Sequence, residues 1–375
     1  MSTYVDIHII QNLPPSCVNR DDSGSPKSAV YGGVRRLRVS SQSWKRATRL
    51  YFNDLLDAED IGVRTKRVVE VLASSIAKGA PEFAENATAL AEGVFKAAKI
   101  KLSSPRGKKD GTQESGYLLF LSTSQIARLA ELAIASARSG ETLDAKTVKK
   151  IFKETHAVDI ALFGRMVADD TDLNVDAACQ VAHAISTHAA ENEYDFFTAV
   201  DDEKSRSEEE DAGAGMMGTV EFSSATMYRY ATVNLDMLVE NLGDGDAALR
   251  ALEVFIKGFC LSMPTGKQNT FANRTLPEAV VISVRDNQPV SLVGAFEEPV
   301  PEASGLGYID RSVSVLAQYA KTIEKNYGLT PLSSFVVALK DSDAVSSLGG
   351  RVSFADLPDR VRQVVAPRVS REERA

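Results

Sequence analysis

Basic side chains are concentrated in residues 31–52, which contain six lysines and arginines and no aspartate or glutamate. Guanidinium and ammonium groups bind phosphate through charge-assisted hydrogen bonds, so this stretch predicts a phosphate-binding surface. Three of the cations belong to a segment of strand-like composition: Arg35, Arg36 and Arg38. The sequence leaves two roles open for these three residues. They either bind phosphate or contribute to strand packing and to contacts with a neighbouring subunit.

The second half of the same stretch predicts a helix. Ser40 and Ser41 are suited to cap its N-terminus, and residues 42–52 have a helical composition. Lys45 and Arg49 are four residues apart and therefore share one face of that helix. The sequence thus predicts a helix that presents cations to a ligand.

Two adjacent carboxylates, Asp21 and Asp22, follow Arg20 in a long loop. Adjacent carboxylates beside a nucleic-acid site can hold a divalent metal for phosphodiester cleavage. Aspartate side chains also hydrogen-bond their own backbone and favour turns, and the turn-rich composition of this loop favours that second interpretation.

Other catalytic motifs are poorly matched. His183 and His188 are five residues apart, which fits neither a metal-binding helix nor alternate strand positions, so both are interpreted as structural. Residues 263–268 resemble the end of a phosphate-binding loop, but Leu261 replaces its first glycine and Gln268 follows Lys267. Lys267 is therefore either a phosphate contact or an exposed lysine, and we expect no metal or other cofactor.

The overall charge argues against a protein that coats nucleic acid without specificity. The net charge is −8 and the pI is about 5.3, whereas such proteins are usually basic. The three cysteines are widely spaced without a CxxC pair, which indicates a reducing compartment. No apolar run has the length of a signal peptide or a membrane span, so we expect a cytoplasmic protein without membrane contact.

The order of elements predicts an α+β protein with a split sheet of the ferredoxin or RNA-recognition-motif type. Strands are predicted at residues 4–11 (ending at Leu13-Pro14-Pro15), 34–39, 279–284 and 335–339. In the first of them Val5, Ile7 and Ile9 alternate with Asp6 and His8, which predicts one buried face and one polar face. Helices are predicted at residues 64–77, 81–99, 123–138, 144–154, 247–261 and 311–327. Residues 157–234 predict further strands and an extended hairpin with its tip at 203–217, and the remaining C-terminal tail is predicted to be frayed.

Between the predicted helices, residues 103–116 form a glycine-, serine- and lysine-containing loop. Its cations, Arg106, Lys108 and Lys109, make a second and weaker basic patch. This loop is either solvated or a further nucleic-acid contact.

Several ordered blocks carry a resemblance to the CasC family, the repeated backbone subunits of the type I-E CRISPR surveillance complex, Cascade. The blocks are SCVNRDD (16–22), GGVRRLRVSSQSWKRATR (32–49), VDIALFGRM (158–166), AHAISTH (182–188), DFFTAVDD (195–202), GTVEFSS (218–224) and YRYATVNL (228–235). Together they run through most of the chain in the family's order.

The resemblance implies a subunit shaped like a right hand. A modified RNA-recognition-motif (ferredoxin-like) palm corresponds to residues 1–59 and 223–375, with 181–195 leading into the thumb. A helical fingers insertion corresponds to residues 60–180, and a protruding β-hairpin thumb to 196–222. Several copies of the subunit stack along one CRISPR RNA, displacing a base at intervals and leaving the other bases free to pair with target DNA.

The resemblance also implies the RNA-binding residues. Palm contacts to the guide backbone fall on Arg20, Lys27, Gln42, Lys45, Arg46 and Arg49, with Lys267 at a basic loop position. Met166 of the fingers packs against a guide base, although an isolated methionine is by itself more often a core residue. Phe197 and Thr198 of the thumb meet the displaced nucleotide, with the alternative that Phe196 or Phe197 anchors the hairpin in the core. Two departures from the family pattern, Val34 in place of a basic residue and the acidic run 208–211, weaken the expected phosphate contacts nearby.

The expected function is a non-enzymatic one: an RNA-binding subunit that oligomerises along the guide and contacts the other Cascade subunits. The absence of an aromatic-rich RNA-binding motif on the predicted sheet favours holding of the backbone over stacking of bases. A rival hypothesis is a metal-dependent ribonuclease that uses Asp21 or Asp22, as in the related backbone subunits of type III CRISPR complexes. A third is a generic single-strand binder.

Overall fold

A computed structural model describes residues 2–105, 111–199 and 216–372. The strands are β1 Tyr4–Ser16, β2 Ser28–Tyr31, β3 Val34–Val39, β4 Gly62–Thr65, β5 Leu102–Ser103, β6 Glu114–Ser115, β7 Leu119–Ser122, β8 Cys179–Val181, β9 Ala184–Ser186, β10 Glu193–Ala199, β11 Met216–Asn234, β12 Ala279–Arg285, β13 Ser333–Ala338 and β14 Gly350–Arg351. The structure therefore confirms the mixed α+β class.

The α-helices are α1 Ser41–Tyr51, α2 Val68–Gly79, α3 Ala87–Ala97, α4 Thr123–Ser139, α5 Ala145–Lys153, α6 Val158–Phe163, α7 Leu235–Leu242, α8 Gly245–Leu261, α9 Gln268–Phe271, α10 Ile309–Tyr327, α11 Asp343–Leu348 and α12 Leu357–Glu372. Short 3-10 helices occur at Phe52–Asp54, Ala58–Asp60, Pro81–Asn86, Thr171–Leu173 and Val293–Phe296.

The chain divides into two compact units. The first comprises the described parts of Met1–Leu50, Val181–Thr232 and Phe255–Pro367. The second comprises the described parts of Tyr51–Gln180, Val233–Val254 and Arg368–Ala375.

A large sheet organises the first unit, with the strand order β14-β13-β12-β1-β11-β9-β3-β2 and with β10 and β8 also paired to β11. Strands from both ends of the sequence meet in it, because β1 pairs antiparallel with β12 from Tyr4↔Arg285 to Ile10↔Ala279. An apolar core packs on this sheet and includes Ile10, Tyr228, Phe296 and Leu316.

The first strand is central, which corrects two predictions. It does not end at Leu13-Pro14-Pro15 but continues to Ser16, since proline fits an extended backbone and only removes a donor. Both of its faces are buried, including Asp6 and His8, although the sequence predicted a polar face there.

The buried polar groups of this strand have partners within the unit. Asp6 forms an ion pair with Arg285 at 2.9 Å and accepts a hydrogen bond from Tyr230 at 2.9 Å. Burial raises the pKa of Asp6, and the hydrogen bond from the Val290 N–H acts against that rise. For His8, burial lowers the pKa to about 3, so its ring is neutral at ordinary pH. Polar residues that alternate along a central strand are thus buried and held by partners within the protein, and they do not mark a solvent-exposed face.

Helices surround the core of the second unit, and two of them, α4 and α5, have side-chain caps at their N-termini. Helix α4 begins with a capping box, in which Ser122 accepts from the Gln125 N–H and Gln125 accepts from the Ser122 N–H. It ends at Gly140, whose φ of 72° lies in the left-handed region that glycine tolerates. The Asp144 side chain caps α5 by accepting hydrogen bonds from the Lys146 and Thr147 N–H groups. These two helices match their predicted ranges closely.

Elsewhere in the second unit the elements differ from those that the sequence predicted. Residues 158–163 form helix α6 and not a strand, because a short apolar run is compatible with either structure. The helix predicted from Arg64 begins at Val68, after strand β4 has paired with β7. Within 81–99, a 3-10 helix precedes the α-helix.

The C-terminal tail is not frayed over its described part. It contains α11 and α12, and Leu357, Val361 and Val365 are completely buried at a spacing of one helical turn. Pro358 lies in the first turn of α12, where a missing N–H costs nothing, although Pro367 lies inside the helix. The prediction of a frayed tail, which the two prolines and the mixed charges of its end suggested, is therefore wrong over the described part.

Arg36 shows how the first unit holds a buried cation. Its side chain is completely buried. It donates hydrogen bonds to the carbonyl oxygens of Tyr31, Ser186, Phe296 and Glu297, at distances from 2.8 to 3.3 Å. Its neighbour Arg35 is exposed.

Replacing Arg36 with Met should lower the free energy of unfolding by about 3 kcal/mol, because several buried carbonyl groups lose their donor. Arg35→Met removes the same charge from an exposed position and should change stability by less than about 0.5 kcal/mol. Urea unfolding followed by circular dichroism measures both. Equal effects of the two substitutions would contradict a structural role for Arg36.

Candidate nucleic-acid interface

The hairpin β2–β3 leads into the basic surface. Tyr31 pairs with Val34, so the turn has two residues, Gly32 and Gly33, with φ values of 59° and 76°. Positive φ at both positions is typical of a type I′ turn, which suits glycine. A Cβ atom at Gly32 would lie 1.6 Å from the Glu297 carbonyl oxygen, so the backbones meet too closely for any side chain.

Ser40 starts helix α1, as one of the two predicted caps. Its Oγ accepts a hydrogen bond from the Ser43 N–H at 3.3 Å. Its own N–H donates to the Asn19 Oδ1 at 2.8 Å. The cap therefore joins the start of α1 to the loop that carries Arg20.

Helix α1 separates apolar and cationic faces. Trp44, Ala47 and Thr48 are buried. The predicted RNA-binding residues of the helix lie on the other side, where Gln42 and Arg46 are exposed and Lys45 and Arg49 are partly exposed. At 3.6 residues per turn these four positions form one continuous face. The structure thus places the four together on an accessible surface.

A buried guanidinium supports α1 from below. The Arg229 side chain lies 3.6 Å from the Trp44 ring centroid and 4.6 Å from that of Phe259. It donates hydrogen bonds to the Gln11 side chain and to the Phe259 carbonyl oxygen. Burial lowers the pKa of Arg229 to about 9, so it remains protonated at neutral pH. Its cation–π contact fixes the position of Trp44 and so of the helix.

The first loop is ordered by its own hydrogen bonds. Arg20 forms an isolated β-bridge with Pro26, and the Lys27 N–H donates to the Asn19 carbonyl at 2.9 Å. Asp21 Oδ1 accepts from the Ser23 N–H, the Ser23 hydroxyl and the Ser25 N–H at 3.0, 2.7 and 3.0 Å. The Ser23 hydroxyl is the main cause that lowers the pKa of Asp21. Asp21 therefore performs the turn chemistry that the sequence favoured.

Lys267 reaches the same region from a distant part of the sequence. A Cβ atom at Gly266 would lie 2.3 Å from the Val18 carbonyl oxygen, so only glycine allows this loop to pack against the first loop. Burial raises the pKa of the Cys17 thiol, and the charges of Lys267 and Arg20 act against that rise. Both cations therefore lie near one sulfur atom, and the structure brings them together.

Of the two histidines interpreted as structural, His188 is confirmed as such. It is buried, and its ring stacks on Tyr308 with the centroids 3.6 Å apart. Its Nδ1 donates to the Ala189 carbonyl at 2.7 Å, and its Nε2 accepts from the Thr226 N–H at 3.2 Å. His183 is exposed instead and contacts Arg38. The spacing of the two histidines in the sequence does not reveal that one is buried and the other exposed.

Met166 belongs to the second unit, where it is 74% exposed. Its neighbours are both buried: Arg165 donates to the carbonyl oxygens of Leu173 and Phe152 at 2.9 and 2.7 Å, and Val167 has no exposed surface. The flanking residues thus anchor the backbone while the methionine side chain extends into solvent. Met166 is not a core residue.

The two strands predicted to form the hairpin do pair, from Glu193↔Phe222 to Ala199↔Met216. Phe197 lies opposite Gly218, and a Cβ atom there would come within 2.6 Å of its ring. Phe197 therefore covers the glycine, while Phe196 is 65% exposed and Thr198 is exposed. Of the two phenylalanines, Phe196 is the more accessible.

Several predicted features lie outside the described residues. These are the cations of the second basic patch, Arg106, Lys108 and Lys109, and the acidic run 208–211 at the hairpin tip. In the described ranges, no three His, Cys, Asp or Glu side chains are grouped so that they could hold a metal ion. No helix in the described part of the chain is long and apolar enough to cross a membrane. The three cysteines are free and buried.

Comparison with known proteins places this fold in a recognised class. The family model described as CT1975-like protein matches residues 5–360. A solved chain from a structure entitled "CRISPR RNA-guided surveillance complex, pre-nicking" is similar at 38% sequence identity with a TM-score of 0.85, covering 96% of this chain and 99% of that one. A second, from a "CRISPR RNA-guided surveillance complex", has 32% identity and a TM-score of 0.77, with the same coverage. Comparison with individually curated protein sequences gave no match.

The class is thus that of subunits of CRISPR RNA-guided surveillance complexes. The chain belongs to the CT1975-like protein family, since the family model spans nearly all of it. The resemblance to the CasC family that the ordered sequence blocks carried is confirmed.

Because Met166 is exposed, we expect its side chain to contribute little to the free energy of unfolding. Met166→Ala should change the free energy of unfolding by less than about 0.5 kcal/mol. Val167→Ala, one residue away but fully buried, should cost about 2 kcal/mol through a small cavity. Thermal and urea unfolding measure both. A loss above that of Val167→Ala would place Met166 in the core.

Proposed function

We propose that the chain is a non-catalytic backbone subunit of a type I-E CRISPR complex, which oligomerises along the guide RNA and presents it to target DNA. The observation that carries the proposal is the accessible cationic face of α1, formed by Gln42, Lys45, Arg46 and Arg49 and supported by the buried Trp44. The first loop, joined to the Ser40 cap through Asn19, brings Arg20 and Lys27 to the same surface.

This arrangement suits the backbone of a nucleic acid. The cations are spread over helix α1 and the first loop, which matches a row of phosphates better than one small anion. Binding by phosphate neutralisation releases counterions, so affinity falls steeply with salt. Such contacts carry no sequence information, which leaves specificity to base pairing by the guide.

We assign the palm, a modified RNA-recognition motif, to the sheet of the first unit and its surrounding helices. The fingers correspond to the helices between α1 and β8, and the thumb to the hairpin β10–β11. Met166 and the thumb residues Phe197 and Thr198 are proposed to meet guide bases. The accessibility of Met166, at 74%, supports a contact with a ligand.

Several copies on one guide form a head-to-tail interface that does not close into a ring. Assembly then becomes cooperative, because each copy adds protein contacts to its RNA contacts. The other Cascade subunits bind at the ends and along the row of copies. We place the assembly in the cytoplasm, in keeping with three reduced cysteines.

The double substitution Lys45→Glu and Arg49→Glu should prevent assembly on the guide while leaving the fold intact. The reason is that two positive charges become negative on one helix face, so the net charge falls by four units and the face repels phosphate. Native mass spectrometry of the complex coexpressed with its guide counts the copies bound.

A matched control changes Lys321 and Lys325 to Glu. These lysines are also four residues apart on an exposed helix face, so the change in net charge is the same. The control should assemble normally. Equal copy numbers for the two double variants would contradict the assignment of α1.

The rival function, RNA cleavage by Asp21 or Asp22, requires an available carboxylate. One oxygen of Asp21 already accepts three hydrogen bonds within its own turn. Asp22 is exposed. The turn role of Asp21 favours the non-catalytic function.

The assembled complex, incubated with complementary RNA and magnesium, should therefore leave that RNA intact. Denaturing gel electrophoresis of end-labelled RNA detects cleavage. Regularly spaced cuts that disappear in Asp22→Ala would establish the nuclease instead. Binding that shows no cooperativity between neighbouring copies would favour a generic single-strand binder.

A further inference from the structure

His183 lies at the edge of the proposed RNA surface, although its spacing from His188 suggested a structural residue. It immediately precedes β9, whose Ala184 and Ile185 pair with Val39 and Arg38 of β3. This pairing places the histidine beside the start of helix α1. Its side chain is exposed.

Two donors determine the tautomer of the His183 ring. The Arg38 Nη1 lies 3.2 Å from the ring Nδ1, and the Ser41 backbone nitrogen lies 3.3 Å from it. Arginine and a backbone N–H can only donate, so Nδ1 must accept and carries no proton. In the neutral ring the proton is therefore on Nε2.

The surroundings also keep the ring neutral. Burial lowers the pKa of His183, and the positive charges of Arg38 and Lys27 lower it further. Protonation at Nδ1 would also break the two hydrogen bonds that orient the ring. The His183 Nε2–H is thus a hydrogen-bond donor on a neutral ring whose orientation is fixed. The side chain is exposed and lies near the cations Arg38 and Lys27.

We propose that His183 binds the RNA backbone directly, donating its Nε2–H to a phosphate oxygen next to Lys27 and Arg38. The inference rests on the proposed function, and it adds a neutral contact to a site otherwise built from charges. A neutral donor contributes a hydrogen bond without releasing a counterion, so it strengthens binding without increasing the salt dependence.

The alternative role for the same geometry is that His183 only orients Arg38 through Nδ1. Two substitutions separate the roles. His183→Gln retains a donor near the Nε2 position and loses the acceptor near Nδ1. His183→Asn retains an acceptor near Nδ1 and loses the outer donor.

The test measures binding of the full-length chain to fluorescein-labelled oligouridylate of about 20 nucleotides by anisotropy, at several salt concentrations and pH values. His183→Ala and His183→Asn should each weaken binding about tenfold, as expected for one hydrogen bond to a charged group. His183→Gln should stay within about threefold of wild type. Urea unfolding should show equal stability for all variants, since the residue is exposed.

The salt and pH series identify the neutral donor. The slope of log K against log salt should be unchanged in His183→Ala but should fall by about 0.7 in Lys27→Ala, which removes one cation. The ratio of the wild-type affinity to the His183→Ala affinity should not rise as the pH is lowered from 8 to 6.5.

Each alternative outcome overturns a specific statement. Rescue by Asn and not by Gln would make His183 a positioning residue for Arg38. A smaller salt slope in His183→Ala, or an affinity that rises with acidity in wild type only, would make it a cationic contact. Wild-type affinity in all three variants would refute the inference alone, whereas a wild-type chain that does not bind the RNA would also refute the proposed function.

Discussion

The cation–π contacts of the Arg229 guanidinium with the Trp44 and Phe259 rings connect the sheet to the surface that we propose binds RNA. Within the described residues no Asp or Glu forms an ion pair with Arg229, so its charge is met by ring faces, the Gln11 amide oxygen and the Phe259 carbonyl. That carbonyl lies in the last turn of α8, where the helix dipole is negative. A buried charge tolerates little displacement once its partners are fixed, and the position of α1 depends on it.

Around this contact, five arginines of the first unit divide into two groups. Arg36 and Arg229 are buried and satisfied by carbonyl or amide oxygens, whereas Arg20, Arg35 and Arg46 are exposed. The buried group sets the relative positions of strands, turn and helix, and the exposed group provides the attraction for phosphate. A chain with a net charge of −8 can thus present one cationic surface without becoming a general nucleic-acid binder.

Local signals predicted the parts of the fold that depend on neighbouring residues. Helix α4 follows its predicted range, and in the structure it lies between the Ser122–Gln125 capping box and Gly140; Ser40 begins α1 as predicted, because caps are satisfied within one turn. The helix α6 was predicted as a strand because a short apolar run fits either structure. The burial of Asp6 and the helical tail were not predicted, since both depend on residues far away in the sequence. In the candidate site, the face of α1 followed from helical spacing, but the proximity of Lys267 to Arg20 required the packing of Gly266 on Val18.

The sequence by itself determined that residues 31–52 carry an unopposed positive charge, and its ordered blocks determined the family. Only the tertiary structure decided the use of each charge. Arg36 is enclosed by carbonyl groups from three separate segments, while His183 is turned outward and oriented by Arg38 and Ser41. The physical reason is that burial and hydrogen-bond partners arise from contacts between distant segments, whereas charge and helical spacing are properties of adjacent residues.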